Sequence, residues 1–194
     1  MTAVVLLLHG TKVYYLLNYV PVSAQNYGYI PTEEDWMDRH EVWHFKDGNC
    51  SPRVLRGLSE GIRQLSSSNC VVCFVPASTK AKTESRYANV ASRIQSMTGI
   101  PCSYTAISKR TDSASGHLSG KQADPASDFS FDVNFFRGKK VILIDDVVTR
   151  GNTLKGTASR LLEKGAREVV ALTVARTFNP LFQNAMVACQ IQCA

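Results

Sequence analysis

Two adjacent carboxylates, Asp145 and Asp146, stand between an aliphatic run and a short loop of small and hydroxyl-bearing residues in VILIDDVVTRGNT, residues 141–153. A continuous aliphatic run suits a strand buried on both faces, as in a parallel sheet. The loop of Val147, Val148, Thr149, Arg150, Gly151, Asn152 and Thr153 then lies at the carboxyl end of that strand, where open α/β sheets bind ligands. The pattern TLKGTASRLLEKG predicts a helix from about Asn152, whose unsatisfied N–H groups and positive dipole end make a phosphate site. Carboxylates beside a phosphate cradle would repel the phosphate, so they need another task. Accepting hydrogen bonds from the vicinal hydroxyls of a ribose fits best, and the chemistry reads as ribose 5-phosphate binding. A plain buried strand with a polar turn explains the aliphatic run but not the acidic pair and hydroxyl loop together.

The elements that position these residues follow from local patterning. Residues 2–8 and 13–22 read as strands joined at His9-Gly10-Thr11, a hairpin. Thr32 is an N-cap followed by three acids, so a helix runs to about Phe45 and stops at Lys46-Asp47-Gly48. Ser51-Pro52 starts a second helix to about Leu65. A strand at 70–75, a helix at 84–98 and a short strand through Ala106 come next. A strand at 140–145, a helix at 152–164 and a strand at 168–174 form a strand–helix–strand unit, and the tail from Phe178 suits one short helix. Residues 108–128 nearly lack large apolar side chains and are expected to form a mobile lid. The fold class is α/β: a mainly parallel sheet of about five strands with helices on both faces, plus an N-terminal hairpin-and-helix region. One domain is expected over 1–194, with an N-terminal region to 68, a core over 69–176 and a tail from 177.

Composition agrees with a soluble globular enzyme: 44% hydrophobic and 20% charged residues sit near the average for such domains. The apolar run of MTAVVLLLHG is too short to span a bilayer and reads as a first strand, so a cytoplasmic location is expected. The net charge of +6 is spread along the chain without a block of like charges, which favours a moderately basic surface over a nucleic-acid stripe. Cys70-Val-Val-Cys73 has metal-like spacing, but strand alternation would send the two sulfurs to opposite faces.

His40-Glu41-Val42-Trp43-His44 matches the H-E-x-x-H pattern of zinc proteases, with Glu60 in the next helix as a third ligand. That helix ends two residues after His44, and a zinc protease leaves the acidic pair and its loop without a purpose. Structural helix residues are the favoured reading.

At residues 141–153 the chain resembles the type I phosphoribosyltransferases, whose signature is an aliphatic strand, an acidic pair and a Thr/Gly loop. The resemblance implies that Asp145 and Asp146 meet the ribose hydroxyls of phosphoribosyl pyrophosphate (PRPP) as the catalytic pair, and that Val147 to Thr153 wrap its 5′-phosphate. It implies a pyrophosphate loop with Ser78, Thr79, Lys80, Lys82 and Arg86 as candidate ligands, and a lid carrying Lys109, Arg110 and His117. It also implies Mg²⁺ carried in with the substrate and touched by Asp145 and Asp146, through water, and a homodimer. The products are pyrophosphate and a nucleobase or amine joined to the ribose.

From Trp43 to Arg176 the order of short segments resembles the ComF-type branch, linked with bacterial DNA uptake. WHFKDG at 43–48, VPAS at 75–78, Arg86-Tyr87 and Lys109-Arg110-Thr111 carry that likeness. The cysteine-rich zinc module that often opens ComF proteins is missing, and Tyr87 replaces the Gly of their Arg-Gly-Phe element. A non-catalytic sensor of PRPP or a nucleotide, or a DNA-uptake accessory, is the alternative.

Overall fold

The computed structural model describes residues 4–8, 10–110 and 125–178. It begins with an antiparallel hairpin, β1 (Val4–Leu8) and β2 (Thr11–Tyr19), followed by a 3₁₀ turn at Val22–Tyr27. Then come α1 (Glu33–Lys46), α2 (Pro52–Leu65), β3 (Cys70–Phe74), α3 (Lys80–Thr98), β4 (Cys102–Ser103) and β5 (Ile107–Lys109). A second 3₁₀ turn at Pro125–Asp128 leads to β6 (Phe129–Phe131), α4 (Val133–Phe136), β7 (Lys140–Val148), α5 (Asn152–Glu163) and β8 (Glu168–Thr177).

Six strands form one sheet in the order β1-β2-β8-β7-β3-β4, and every neighbouring pair except β1–β2 is parallel. The aliphatic run is therefore the central strand, with Ile142 opposite Val72 on one side and Val170 on the other. Alternation sorts its side chains into two cores. Ile142 and Ile144 face Val42 and Phe45 of α1, Leu58 and Ile62 of α2, and Val90 and Ile94 of α3. Val141 and Leu143 face Leu154 and Leu161 of α5, with Ile107, Phe129 and Phe136. Val71 and Cys73 share this second face while Val72 and Phe74 share the first, so the sulfurs of Cys70 and Cys73 are on opposite sides, as strand alternation demands.

Several elements differ from their sequence limits. The hairpin is not an appendage: β2 pairs in parallel with β8 from Val13↔Ala171 to Tyr19↔Thr177, and joins the core sheet. Helix α3 begins four residues early, because the Thr79 side chain accepts a hydrogen bond from the Lys82 amide and caps it. Strand β7 continues through the acidic pair to Val148, since β8 keeps pairing with it as far as Arg176. Of the lid expected over 108–128, Ser108 and Lys109 belong to the strand Ile107–Lys109, which pairs antiparallel with Phe129–Phe131, and Pro125–Asp128 is a 3₁₀ turn; residues 111–124 lie outside the described residues. The tail from 179 onward lies outside them too. No helix among the described residues is long and apolar enough to cross a membrane.

Helix α1 is held at its middle and at its end. Midway along it, fully buried Arg39 donates to the Val20 carbonyl from Nε at 3.1 Å and Nη2 at 2.9 Å. At its end, Gly48 has φ +86°, and a Cβ there would lie 2.4 Å from the Ser85 carbonyl oxygen of α3. One residue on, Arg86 Nε donates to the Lys46 carbonyl at 3.1 Å.

Gly48→Ala therefore combines a left-handed backbone penalty with overlap, and should lower stability by about 2–4 kcal/mol. Gly28 has φ +82° and open space around it, so Gly28→Ala should cost only about 1–2 kcal/mol. Chemical denaturation of both variants measures the difference, and equal losses would show that the Ser85 contact is slack. Burial also pushes the thiols of Cys73 and Cys102 up to about 12 and that of Cys50 up to about 11. At pH 8 these three should alkylate at least ~100-fold more slowly than an ordinary thiol, as read by mass spectrometry of labelled peptides.

Candidate functional site

Asp145 and Asp146 sit at the carboxyl end of β7, where the strand leaves the shelter of its neighbours and both side chains become half-buried. Asp145 Oδ1 accepts from the Asp146 amide at 2.8 Å, and Asp146 Oδ1 accepts from the Val147 amide at 2.5 Å. The other oxygen of Asp146, Oδ2, takes an ion pair from Arg86 Nη1 of α3. Burial raises the pKa of Asp145 and the neighbouring Asp146 charge raises it further; the Asp146 N–H and the Arg86 and Lys46 cations pull it back only in part. Asp145 therefore holds its charge less readily than an ordinary carboxylate until further donors reach it. Beneath the two carboxylates the Tyr87 hydroxyl is buried without a hydrogen-bond partner, and burial plus both aspartates hold that phenol protonated.

The chain then turns through Thr149 and Arg150, both exposed, into Gly151. Gly151 is the N-cap of α5 in a left-handed conformation, φ +74°, and no side chain caps the helix. A Cβ-bearing residue would resist that turn, and a capping side chain would occupy the amides that a ligand could use. Asp145 and every residue from Val147 to Leu154 line a single cleft of about 280 Å³. The helix N-terminus and one carboxylate thus open on the same space. Thr149 is steadied by a 2.7 Å hydroxyl contact with Thr177 at the end of β8.

The remaining residues singled out from sequence separate into two groups. Lys82 and Arg86 line a cleft of about 420 Å³ with Lys46, Asp47 and Ser85. Lys80 and Lys109 instead line a cleft of about 320 Å³ with Thr83, Tyr104 and Thr105. Ser78 is exposed, Thr79 is committed to capping α3, and the Arg110 amide bonds the Asp128 carbonyl at 2.9 Å. His117 lies outside the described residues. Sequence reading missed Lys46 as a site residue. Its signal was the WHFKDG segment, but only the fold brings α1 against α3 and the acidic pair.

His40 and His44 stack on the outer face of α1, with ring centroids 6.4 Å apart. Glu60 is exposed on α2, within reach of Arg63 and Gln64. Among the described residues no three His, Cys, Asp or Glu side chains gather as a metal site.

Comparison with solved structures gives low-identity similarities. The allosteric regulatory enzyme of purine biosynthesis is 24% identical over 62% of this chain and 25% of its own, with a TM-score of 0.42. The glutamine PRPP amidotransferase of B. subtilis, complexed with ADP and GMP, is 22% identical over 68% of this chain and 30% of its own, at 0.47. The purine phosphoribosyltransferase of Pyrococcus horikoshii Ot3 is 20% identical over 64% of this chain and 81% of its own, at 0.40. This chain therefore spans about a quarter to a third of the length of the first two. No curated protein sequence matches it. The phosphoribosyl transferase domain model matches residues 69–180, the stretch that holds the acidic pair, its loop and α5; the chain belongs to the phosphoribosyl transferase domain family.

Proposed function

We propose that this protein binds PRPP and transfers its 5-phosphoribosyl group to a nitrogen acceptor, a nucleobase or an amine, with release of pyrophosphate. One observation carries the reading: the Asp145–Asp146 pair runs directly into an uncapped helix N-terminus that opens on one cleft. The amides of α5 and the hydroxyls of Thr149 and Thr153 suit the 5′-phosphate, with Arg150 at the rim. Asp145 and Asp146 suit the ribose hydroxyls, which would add donors to an Asp145 that has only the Asp146 amide.

The cleft of Lys46, Lys82 and Arg86 gives three cations against the single carboxylate of Asp47, which suits a pyrophosphate. Lys80 and Lys109 line a separate cleft with the carboxylate of Glu84. Charge builds on the departing oxygen as the bond to C1 of the ribose breaks. Fixed cations there stabilise that change more than the ground state, and the carboxylates orient the ring. The oxygen donors of Asp145 and Asp146 fit Mg²⁺, which would add charge neutralisation to the pyrophosphate. The place of Lys46 supports a kinship with the ComF-type branch, because the WHFKDG segment that carries that likeness lines the cleft. We take residues 1–68 and 69–176 to act as one unit, since β2 and β8 share a sheet.

Asp145→Asn relieves like-charge crowding, so the melting temperature should hold or rise. PRPP affinity, titrated calorimetrically with Mg²⁺, should fall by about tenfold or more from one lost charge-assisted hydrogen bond. Wild-type affinity in that variant would remove the ribose assignment. Lys46→Ala should weaken PRPP by about tenfold yet leave ribose 5-phosphate binding unchanged. Equal losses for both ligands would place Lys46 outside the pyrophosphate subsite. A panel of bases and amines assayed for pyrophosphate release then separates a transferase from a PRPP-binding module.

A further inference from the structure

Tyr87 stands where packing alone asks for a phenylalanine. The residue is fully buried, and its ring leans on Phe74 at 4.8 Å between centroids and on Phe45 at 6.0 Å. Both contacts belong to the ring, and Phe would make them equally well. The hydroxyl, in contrast, has no hydrogen-bond partner. A buried hydroxyl left unpaired lowers stability, so the reason for it lies outside the packing.

The surroundings of that oxygen supply the reason. After burial itself, the charges of Asp145 and Asp146 act most strongly on the phenol and keep it protonated. The Arg86 guanidinium beside it pulls the other way, without the geometry of a hydrogen bond. Its central carbon lies 5.7 Å from the Tyr87 ring centroid. A proton donor thus sits among acceptors that are already engaged. Asp146 spends Oδ1 on the Val147 amide and Oδ2 on Arg86. Arg86 and Tyr87 are consecutive residues of α3, so both approach the end of β7 from one helix. Arg86 also lines the cleft of Lys46 and Lys82, where an anion competes with Asp146 for the guanidinium. An Asp146 that loses this cation is a shielded carboxylate in need of a donor, and the Tyr87 O–H is a donor in need of an acceptor.

We propose that Tyr87 is a positioning residue that forms an exchange pair with Arg86: when an anion in the Lys46–Lys82 cleft draws the guanidinium away, the Tyr87 hydroxyl donates to the Asp146 oxygen that Arg86 releases. The exchange rests on the assignment of that cleft to pyrophosphate. It keeps Asp146 directed at the ribose while Arg86 serves the anion. The unpaired hydroxyl is a cost carried by the free protein and recovered on binding, so it adds to affinity.

Tyr87→Phe tests the exchange. The free variant should melt at the temperature of the parent or above it, because it loses only an unpaired group. Its affinity for inorganic pyrophosphate and for PRPP, titrated calorimetrically with Mg²⁺, should fall by about tenfold. Its affinity for ribose 5-phosphate, which leaves Arg86 in place, should not change. Pyrophosphate should also give the parent a tyrosine difference absorption that Tyr87→Phe lacks. In an Asp146→Ala background, Tyr87→Phe should weaken pyrophosphate binding no further, since the acceptor is gone. A lower melting temperature in Tyr87→Phe would show a hydroxyl already paired in the free protein and overturn the proposal. Parent-like pyrophosphate affinity would do the same, as would equal losses for pyrophosphate and ribose 5-phosphate. The underlying assignment fails separately: a parent that binds neither pyrophosphate nor PRPP removes the pyrophosphate cleft, and the exchange with it.

Discussion

The ion pair between Arg86 and Asp146 ties together the three elements that make the site. Arg86 belongs to α3, Asp146 to the end of β7, and the Arg86 Nε donates to the last carbonyl of α1. Both side chains are largely shielded, 13% and 16% exposed, so screening by water and salt is weak. The pair does more than neutralise a charge. Without it, Asp146 would be a largely shielded carboxylate with no cation beside it, next to an Asp145 whose pKa burial already raises. With it, the guanidinium is held beside the cleft that the proposed function gives to pyrophosphate, and its bond to the Lys46 carbonyl fixes where the Lys46 side chain begins. The arrangement also asks for an exchange: a ligand that draws Arg86 must give Asp146 other donors. A molecule with an anion at one end and two hydroxyls at the other meets both demands at once.

This constraint explains why the N-terminal helices cannot be separated from the core. Gly48 lets the chain after α1 turn against the Ser85 carbonyl with no room for a side chain, and Arg86 is the next residue. Midway along α1, Arg39 satisfies the Val20 carbonyl just after β2 ends. The helix is thus tied to the chain after β2 and to α3 by shielded hydrogen bonds, with hydrophobic packing of Val42 and Phe45 between them. A shift at either contact would move Lys46 relative to the acidic pair.

The acidic pair, the loop and α5 were legible in sequence because they are local: strand, turn and helix follow one another within about 25 residues, each with its own periodicity. The capping box of α1, with Thr32 and Asp35, and the proline start of α2 were legible for the same reason. What escaped was non-local or masked by polarity. The first turns of α3, KAKTES, carry no apolar stripe until Thr83 and Tyr87, so only the Thr79 cap marks the true start. The parallel pairing of β2 with β8 joins residues about 158 positions apart, as in Thr173 opposite Tyr15, and no local pattern can announce it. Lys46 was invisible as a site residue for that reason: its partners lie 40 and 99 residues away in Arg86 and Asp145.

The strand limits carry a related lesson. Asp145 and Asp146 are poor strand formers, and propensity alone ends β7 before them. The ladder with β8 continues regardless, pairing Asp145 with Thr173 and Val148 with Arg176. That continuation is what gives the two carboxylates opposite directions from a common backbone. Asp145 lines the cleft at the start of α5 and Asp146 pairs with Arg86 of α3, so the pair addresses two elements that neither residue could reach alone. Had the strand ended at Ile144, the pair would sit in a turn with free torsions, and its separation and direction would depend on the ligand. Held in a ladder, both are set before any ligand arrives, which is the condition for strong electrostatic recognition of the ribose and phosphates in the function proposed above.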